Sequence, residues 1–247
     1  MNETIKSVLA HRTIRQFKNQ EIPENTVQVL LDAANMTPTS SGMQTCSIIR
    51  ITSQDKKNAL SNVGGQDYMK DSPLLLLFVA DLFRNYNIAQ EQGQANDTLV
   101  NIDKFLQAYT DAAIAAQNVL VCAESLGLGT CYFGNIHNDS QKVIDIFKLP
   151  KYTFPVVALG IGYIDREPMQ KPRMDKSIKY FENEYKVFDS YMDTIKEFDK
   201  KMQDYYDLRE NGKRSDKFSE QVVKKFTKSA EKRSNDLNVI KNQGILF

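Results

Sequence analysis

Residues Pro73–Ala80 read PLLLLFVA, an apolar run with no polar face. A strand of this kind is buried on both sides of a sheet, so the rest of the chain must supply one covering layer above it and another below. Phe154–Tyr163 (FPVVALGIGY) has the same character and predicts a second buried strand. Between them, Ile102–Leu126 places apolar residues at 102, 105/106, 109, 112/113, 116, 119/120, 123 and 126, a sustained helical period. Ala112, Ala113, Ala115 and Ala116 keep the middle of that helix thin, so another element can approach closely. Gly127 follows where a C-terminal cap is needed. The helix carries more apolar surface than one sandwich face covers, which predicts a homodimer contact.

Shorter elements fill the layers. Ile5–His11 reads as a short helix with Ile5, Val8 and Leu9 at helical spacing. Pro23 suits the first turn of a second helix lined by Val27, Leu30, Leu31 and Ala34. That helix must end before Thr37-Pro38, because a residue preceding proline is pushed out of the α region. Thr39–Gly42 is a small polar loop, Ser47–Thr52 a β-branched strand, Lys56–Val63 a short helix and Gly64-Gly65-Gln66 a turn. Asn87–Thr98 are polar and poor in pattern, as expected of a mobile excursion. Cys131–Phe133 predicts a strand and Ser140–Phe147 a helix; Tyr191–Tyr206 and Ser219–Arg233 predict surface helices around a basic loop, 209–217. Strands alternating with helices make an α+β or α/β sandwich the class. Residues 1–247 read as a single domain, with 174–247 as its charged extension.

Composition works by exclusion. Net charge is +1, so there is no global field for nucleic acid or a membrane surface, although the tail from Lys213 onward carries nine Lys/Arg against four Asp/Glu. Three cysteines without CxxC spacing and only two histidines argue against a disulfide framework or a metal site. No apolar leader is visible and the longest apolar run is too short to span a bilayer, so a cytoplasmic protein is expected. Gly127-Leu128-Gly129 and Gly160-Ile161-Gly162 both lack the third glycine and following helix of a dinucleotide fingerprint. No Walker A loop, GxSxG elbow or HExxH occurs. One anion site can be argued: His11-Arg12-Thr13-Ile14-Arg15 packs two guanidinium groups into five residues, and on a helical turn both would lie on one face as a phosphate grip. On composition alone the favoured reading is a helix C-terminus, where basic groups satisfy the dipole, because Arg pairs near helix ends are common.

The segments HRTIRQF, TSSGMQTCSIIRIT, GGQ, ESLGLGTCYFGNI and KPR, in this order and spacing, resemble the flavin-dependent nitroreductase family, and within it the NADPH-dependent flavin reductases and oxygen-insensitive nitroreductases. The resemblance runs from His11 to Arg173 and more loosely beyond. It implies an α+β sandwich with a central, mostly antiparallel sheet flanked by helices and a C-terminal helical excursion. It also implies a homodimer with FMN at the subunit interface. His11, Arg12, Thr13 and Arg15 match the motif gripping the FMN phosphate and ribityl chain, and Thr39 matches a position that is usually Ser. Gln66 matches a residue on the isoalloxazine edge; Tyr132, Phe133 and Gly134 match the segment lying over the ring near N5 and O4. Asn135 stands where a second Gly is usual, and Lys171 and Arg173 match contacts to the N1/O2 edge and the phosphate.

Such a resemblance divides the labour between cofactor and chain. Hydride chemistry belongs to the flavin, so the protein needs no acid, base or nucleophile of its own. The resemblance implies ping-pong transfer from NAD(P)H to free flavins, nitroaromatics, quinones or similar small acceptors. A narrower reductive activity on the same scaffold, or a flavin carrier with little turnover, are the rivals. Arg209, with Lys213 or Arg214, matches a loop that reaches the 2′-phosphate of NADPH in NADPH-specific relatives, which predicts NADPH over NADH.

Overall fold

The computed structural model describes residues 1–96, 100–210, 216–227 and 231–246, without the side chains of 209, 210, 231 and 232. The chain divides into two compact units, Met1–Pro168 with Ala230–Phe247, and Met169–Ser229.

The first unit is organised by an antiparallel sheet of β1 (Cys46–Arg50), β2 (Leu74–Asp81), β4 (Thr153–Gly162) and β3 (Gly129–Phe133), in that spatial order. Every residue of β2 is buried, as its unbroken apolar run requires. Its side chains alternate between two layers. Leu74, Leu76, Phe78 and Ala80 face α2 (Glu24–Asn35) and α5 (Ile102–Ser125). Leu75, Leu77 and Val79 enter a second core with α3 (Gln54–Gly64) and α6 (Ser140–Phe147). Pro155, which has no N–H for a ladder, sits where the β2–β4 register shifts beside Phe78 and Val79.

The long helix is as the periodicity predicts. α5 opens on Asn101, whose side chain accepts from the Lys104 N–H, and stops before Gly127 at a φ of +76°. Ala112, Ala115, Ala116 and Ala123 are buried, while Ala113 faces outward. Leu106, Ile114 and Leu126 are 57%, 43% and 51% exposed along its outer side. α1 (Glu3–Ala10) buries no residue at all, and its Ile5, Val8 and Leu9 are likewise exposed.

Three elements differ from the sequence reading. Asn87–Glu91 are not irregular but belong to α4 (Phe83–Glu91), which is pinned by Tyr86 against Tyr152 at 4.6 Å between ring centroids. Residues 97–99 lie outside the described residues. In the second unit the helix expected over Tyr191–Tyr206 is broken at Ile195 into α7 (Tyr191–Thr194) and α8 (Lys196–Glu210). Ile195 leaves helical geometry (φ −98°, ψ 3°) and is itself buried. The helix expected over Ser219–Arg233 is α9 (Phe218–Phe226) and, in the first unit, α10 (Glu231–Ser234). The second unit has its own small core of Phe198, Met202, Tyr205 and Tyr206.

After α10, α11 (Asp236–Asn242) continues a return into the first unit. There Gln243 donates to the carbonyls of Pro150 and Thr153 at 2.8 and 2.9 Å. Its own carbonyl accepts from the Tyr152 N–H at 2.7 Å, and Ile245 is buried. No described helix is long and apolar enough to cross a membrane.

Candidate functional site

The His11–Arg15 motif follows α1 as extended chain, not as a helical turn. Thr13 bridges Thr130 in parallel, the Ile14 N–H donates to the Thr130 carbonyl at 2.8 Å, and Phe17 bridges Ile164. This segment therefore lies along the ends of β3 and β4. Side chains three apart on extended chain point to opposite sides, so the expected single face for Arg12 and Arg15 is not formed. Arg12 pairs with Glu167 at 2.7 Å and lines a cavity of about 160 Å³ with His11, Ser7 and Glu124. Arg15 goes the other way. Its Nε donates to the Tyr68 hydroxyl at 3.3 Å, and the Tyr68 ring lies 5.8 Å from that of Phe133.

Close approach explains two glycines that resembled a nucleotide loop. A Cβ on Gly129 would stand 2.7 Å from Ile14 Cγ1, and one on Gly162 would stand 2.9 Å from Phe17 Cδ1. Gly129 and Gly162 are partners across the β3–β4 ladder. Gly129 is kept bare so that Ile14 can cross the sheet, and Gly162 is kept bare by Pro73, 2.8 Å away, together with Phe17.

Glu124, near the end of α5, holds the motif from behind. Its Oε1 lies 2.7 Å from His11 Nδ1 and accepts from the Thr130 hydroxyl at 2.5 Å, with only 10% of the side chain exposed. Tyr132 donates to Gln117 at 3.3 Å, and burial, then Glu124, push its phenol well above the ordinary range. Phe133 is fully buried, but Gly134 is exposed and nothing stands within 4 Å of where its Cβ would be. Asn135 then turns inward. Its Nδ2 donates to the Gly64 carbonyl at 2.5 Å, and its buried Oδ1 has no protein partner among the described residues. Gln66 follows left-handed Gly65 (φ +62°); its N–H donates to the Ser61 carbonyl and its carbonyl accepts from the Ser61 hydroxyl. The structure thus brings Arg15, Tyr68, Phe133 and the open backbone at Gly134 to one end of β3, beside the α3 terminus that leads to Gln66.

Thr39 is not brought there. It precedes a 3-10 turn, Ser40–Gly42, that is tied to the middle of α5 by buried Asp111. Asp111 accepts from the Ser40 N–H at 2.9 Å and the Thr45 hydroxyl at 2.8 Å, and the loop carries left-handed Ser41 and Gln44. Asp111 and Glu124 lie roughly 20 Å apart along the helix axis at 1.5 Å per residue. Thr39 instead lines a cavity of about 290 Å³ with Thr37, Cys46, Ser47, Arg84 and Asp111. Burial pushes the Cys46 thiol up to about 12 and that of Cys131 up to about 11, so neither is a thiolate near neutrality.

Lys171 and Arg173 belong to the second unit, where Arg173 donates to the Lys171 carbonyl at 2.7 Å and the Lys171 ammonium lies 5.8 Å from the Tyr206 ring centroid. The Arg209 side chain, Lys213 and Arg214 lie outside the described residues. Glu124, Asp111, Tyr68 and Glu167 escape the sequence reading. Each is an ordinary polar residue in its own neighbourhood, and only its partner, distant in the chain, gives it meaning. The Glu124 within ESLGLG is the one signal that lay inside a quoted motif.

This sheet, its covering helices and the motif across β3 define an α+β oxidoreductase scaffold. The chain belongs to the nitroreductase family: the model of that family matches residues 8–163, and that of the family's C-terminal domain matches residues 171–247. It is 38% identical over 226 residues to the FMN reductase (NADPH) of Bacillus subtilis (strain 168), spanning 90% of this chain and 91% of that protein. It is 32% identical over 246 residues to an NADPH-flavin oxidoreductase of Vibrio harveyi, spanning 99% of each. Among solved structures, the NfrA1 nitroreductase from B. subtilis matches with a TM-score of 0.92 at 35% identity over 98% of both chains. The NADPH:FMN oxidoreductase from V. harveyi complexed with NAD+ matches at 0.87, with 30% identity over 99% of both.

Proposed function

We propose that the chain is an FMN-dependent reductase that draws electrons from NADPH and delivers them to free flavins, nitroaromatics, quinones or similar acceptors, in two half-reactions sharing one site. The observation that carries this reading is the end of β3, where Arg15, Tyr68 and Phe133 surround a backbone left open at Gly134. The names of the relatives support it. The residues fit the cofactor: an open shelf at Gly134, a buried Asn135 oxygen without a protein donor, and an exposed guanidinium at Arg15 for a phosphate monoester.

When bound, FMN supplies the hydride acceptor and donor, which no side chain here replaces. The chain's own residues bind and orient. Arg15 presents a charge-assisted donor backed by Tyr68. Glu124 fixes His11, Gln66 is set by the turn after α3, and Asn135 locks the turn after β3 to the last carbonyl of α3. Lys171 and Arg173 are assigned to the flavin by the resemblance, as is the 209–214 loop to the 2′-phosphate.

Two copies make the site. Thr39 is tied to a part of α5 far from Arg15, so its hydroxyl serves the flavin only if it comes from a partner subunit. The exposed Ile5, Val8, Leu9, Leu106, Ile114 and Leu126 supply apolar surface for that contact. The test is anaerobic addition of NADPH to the purified yellow protein. Rapid bleaching, then recolouring on adding nitrofurazone or free FMN, is the expected result. A bound flavin that NADPH does not bleach would make the protein a carrier, and release of FAD in place of FMN would refute the cofactor.

A further inference from the structure

We propose that Arg233 is a positioning residue for the Gly134–Asn135 peptide, an inference that rests on the flavin reading of the β3 end. Arg233 lies in α10, on the segment that returns to the first unit, and its Nη2 donates to the Gly134 carbonyl at 3.2 Å. On the other side, Asn135 Nδ2 donates to the Gly64 carbonyl at 2.5 Å. The peptide is therefore held between a cation from the C-terminal return and the end of α3. Gly134 has no side chain and open space around its Cβ position, so nothing of its own packs to fix this turn. Arg233 adds a restraint on the Gly134 carbonyl, opposite the bond from Asn135 to Gly64. Further along the turn Gly134–Asp139, buried His137 is held by its ring nitrogens, 2.8 Å from the Val156 carbonyl and 3.1 Å from the Ser140 hydroxyl.

The electrostatic consequence comes from peptide geometry. The peptide is trans, so its carbonyl and N–H point in opposite directions. Holding the Gly134 carbonyl on Arg233 aims the Asn135 N–H away from that cation. A cation on the carbonyl polarises the peptide and strengthens its N–H as a donor. A reduced flavin is more anionic than an oxidised one, so a strengthened donor in the segment against the ring favours the reduced form.

The experiment uses Arg233→Ala and Arg233→Lys in the full chain, with two readouts. The first is amide hydrogen exchange over residues 134–139 in flavin-free protein. The second is the midpoint potential of the FMN-loaded protein. Arg233→Ala should speed exchange in this turn alone. It should lower the ratio of reduced to oxidised flavin at fixed potential about threefold to tenfold, tenfold being about 30 mV for a two-electron couple. Arg233→Lys, which keeps the charge, should recover most of both. Wild-type exchange in Arg233→Ala, or a wild-type potential with FMN bound, overturns the proposal. Failure of the wild type to take up FMN defeats the functional reading instead, and exchange by itself then upholds or overturns the positioning contact.

Discussion

Gly129→Ala isolates the packing that carries the His11–Arg15 motif. An added Cβ would stand 2.7, 2.9 and 2.9 Å from Cγ1, Cβ and Cγ2 of Ile14. These atoms sit close to the backbone and cannot swing aside like a long side chain. Carbon pairs prefer about 3.5–4.0 Å, so the segment must move outward by about 1 Å. Ile14 is only 2% exposed and its N–H is bonded to Thr130, so the shift also strains that bond. Overpacking of this kind costs about 1–3 kcal/mol, against less than about 1 kcal/mol recovered from replacing a strand glycine. Ile14→Ala alone leaves a cavity and should cost about 2–5 kcal/mol. Combined, the new methyl enters space vacated by the two Cγ atoms, so the double variant should cost about 1 kcal/mol less than the sum. Urea unfolding of the four proteins at constant m-value measures this, and FMN titration carries the test to the site, since Arg15 adjoins Ile14. A Gly129→Ala protein as stable as the wild type, or strict additivity in the cycle, would refute the account of how the motif is held.

Arg15→Ala should weaken FMN binding about tenfold to a hundredfold, the worth of a charge-assisted contact, as read by fluorescence titration. Glu167→Ala frees Arg12 from an exposed pair worth at most about 1 kcal/mol, so if Arg12 serves the phosphate, FMN affinity should rise by up to about fivefold; a fall would count against that role for Arg12. The thiol of Cys46, raised from 9.0 to about 12 mainly by burial, favours the folded state below pH 9 and loses that contribution as pH climbs from 9 toward 12. Unfolding free energies of wild type and Cys46→Ala should therefore hold a constant difference at pH 6–8 and converge above pH 9. Sedimentation at micromolar concentration should give a dimer, and a flavin-loaded monomer would remove Thr39 from the site.

How much of this was legible in the sequence depends on whether the cause was local. β2 could be read because burial on both faces leaves no polar residue, and α5 because its apolar stripe persists over 24 residues. Asn87–Glu91 misled because little in their own pattern marks a helix; the Tyr86–Tyr152 contact supplies what the pattern lacks. The glycines of GLGTCYF and GIGY carry a spacing that invites a phosphate-loop reading, yet at Gly129 the cause is Ile14, far away in the chain, and at Gly162 it is Pro73 with Phe17. The same holds for Arg12 and Arg15. A helical turn would put them on one face, but bridges from Thr13 to Thr130 and from Phe17 to Ile164 impose an extended path. The family resemblance named loop residues to inspect, but only the structure shows Glu124 against His11 and Tyr68 against Arg15.

The C-terminal return has a consequence for the order of synthesis. Gln243 fills the hydrogen bonds of Pro150, Tyr152 and Thr153, and Leu246 donates to the Val100 carbonyl at 2.9 Å, all of them partners translated long before. The second unit is made in between. A ribosome therefore releases the whole second unit while the first still lacks a closing piece, with α6 and the start of β4 waiting for α11. Premature termination between Ser229 and Gln243 leaves these backbone groups without Gln243 and the seat of Ile245 open to solvent, although all four strands of the sheet have been made. Such near-complete chains should be recognised by quality-control proteases as unfinished, because exposed apolar surface and unpaired backbone mark incomplete folding.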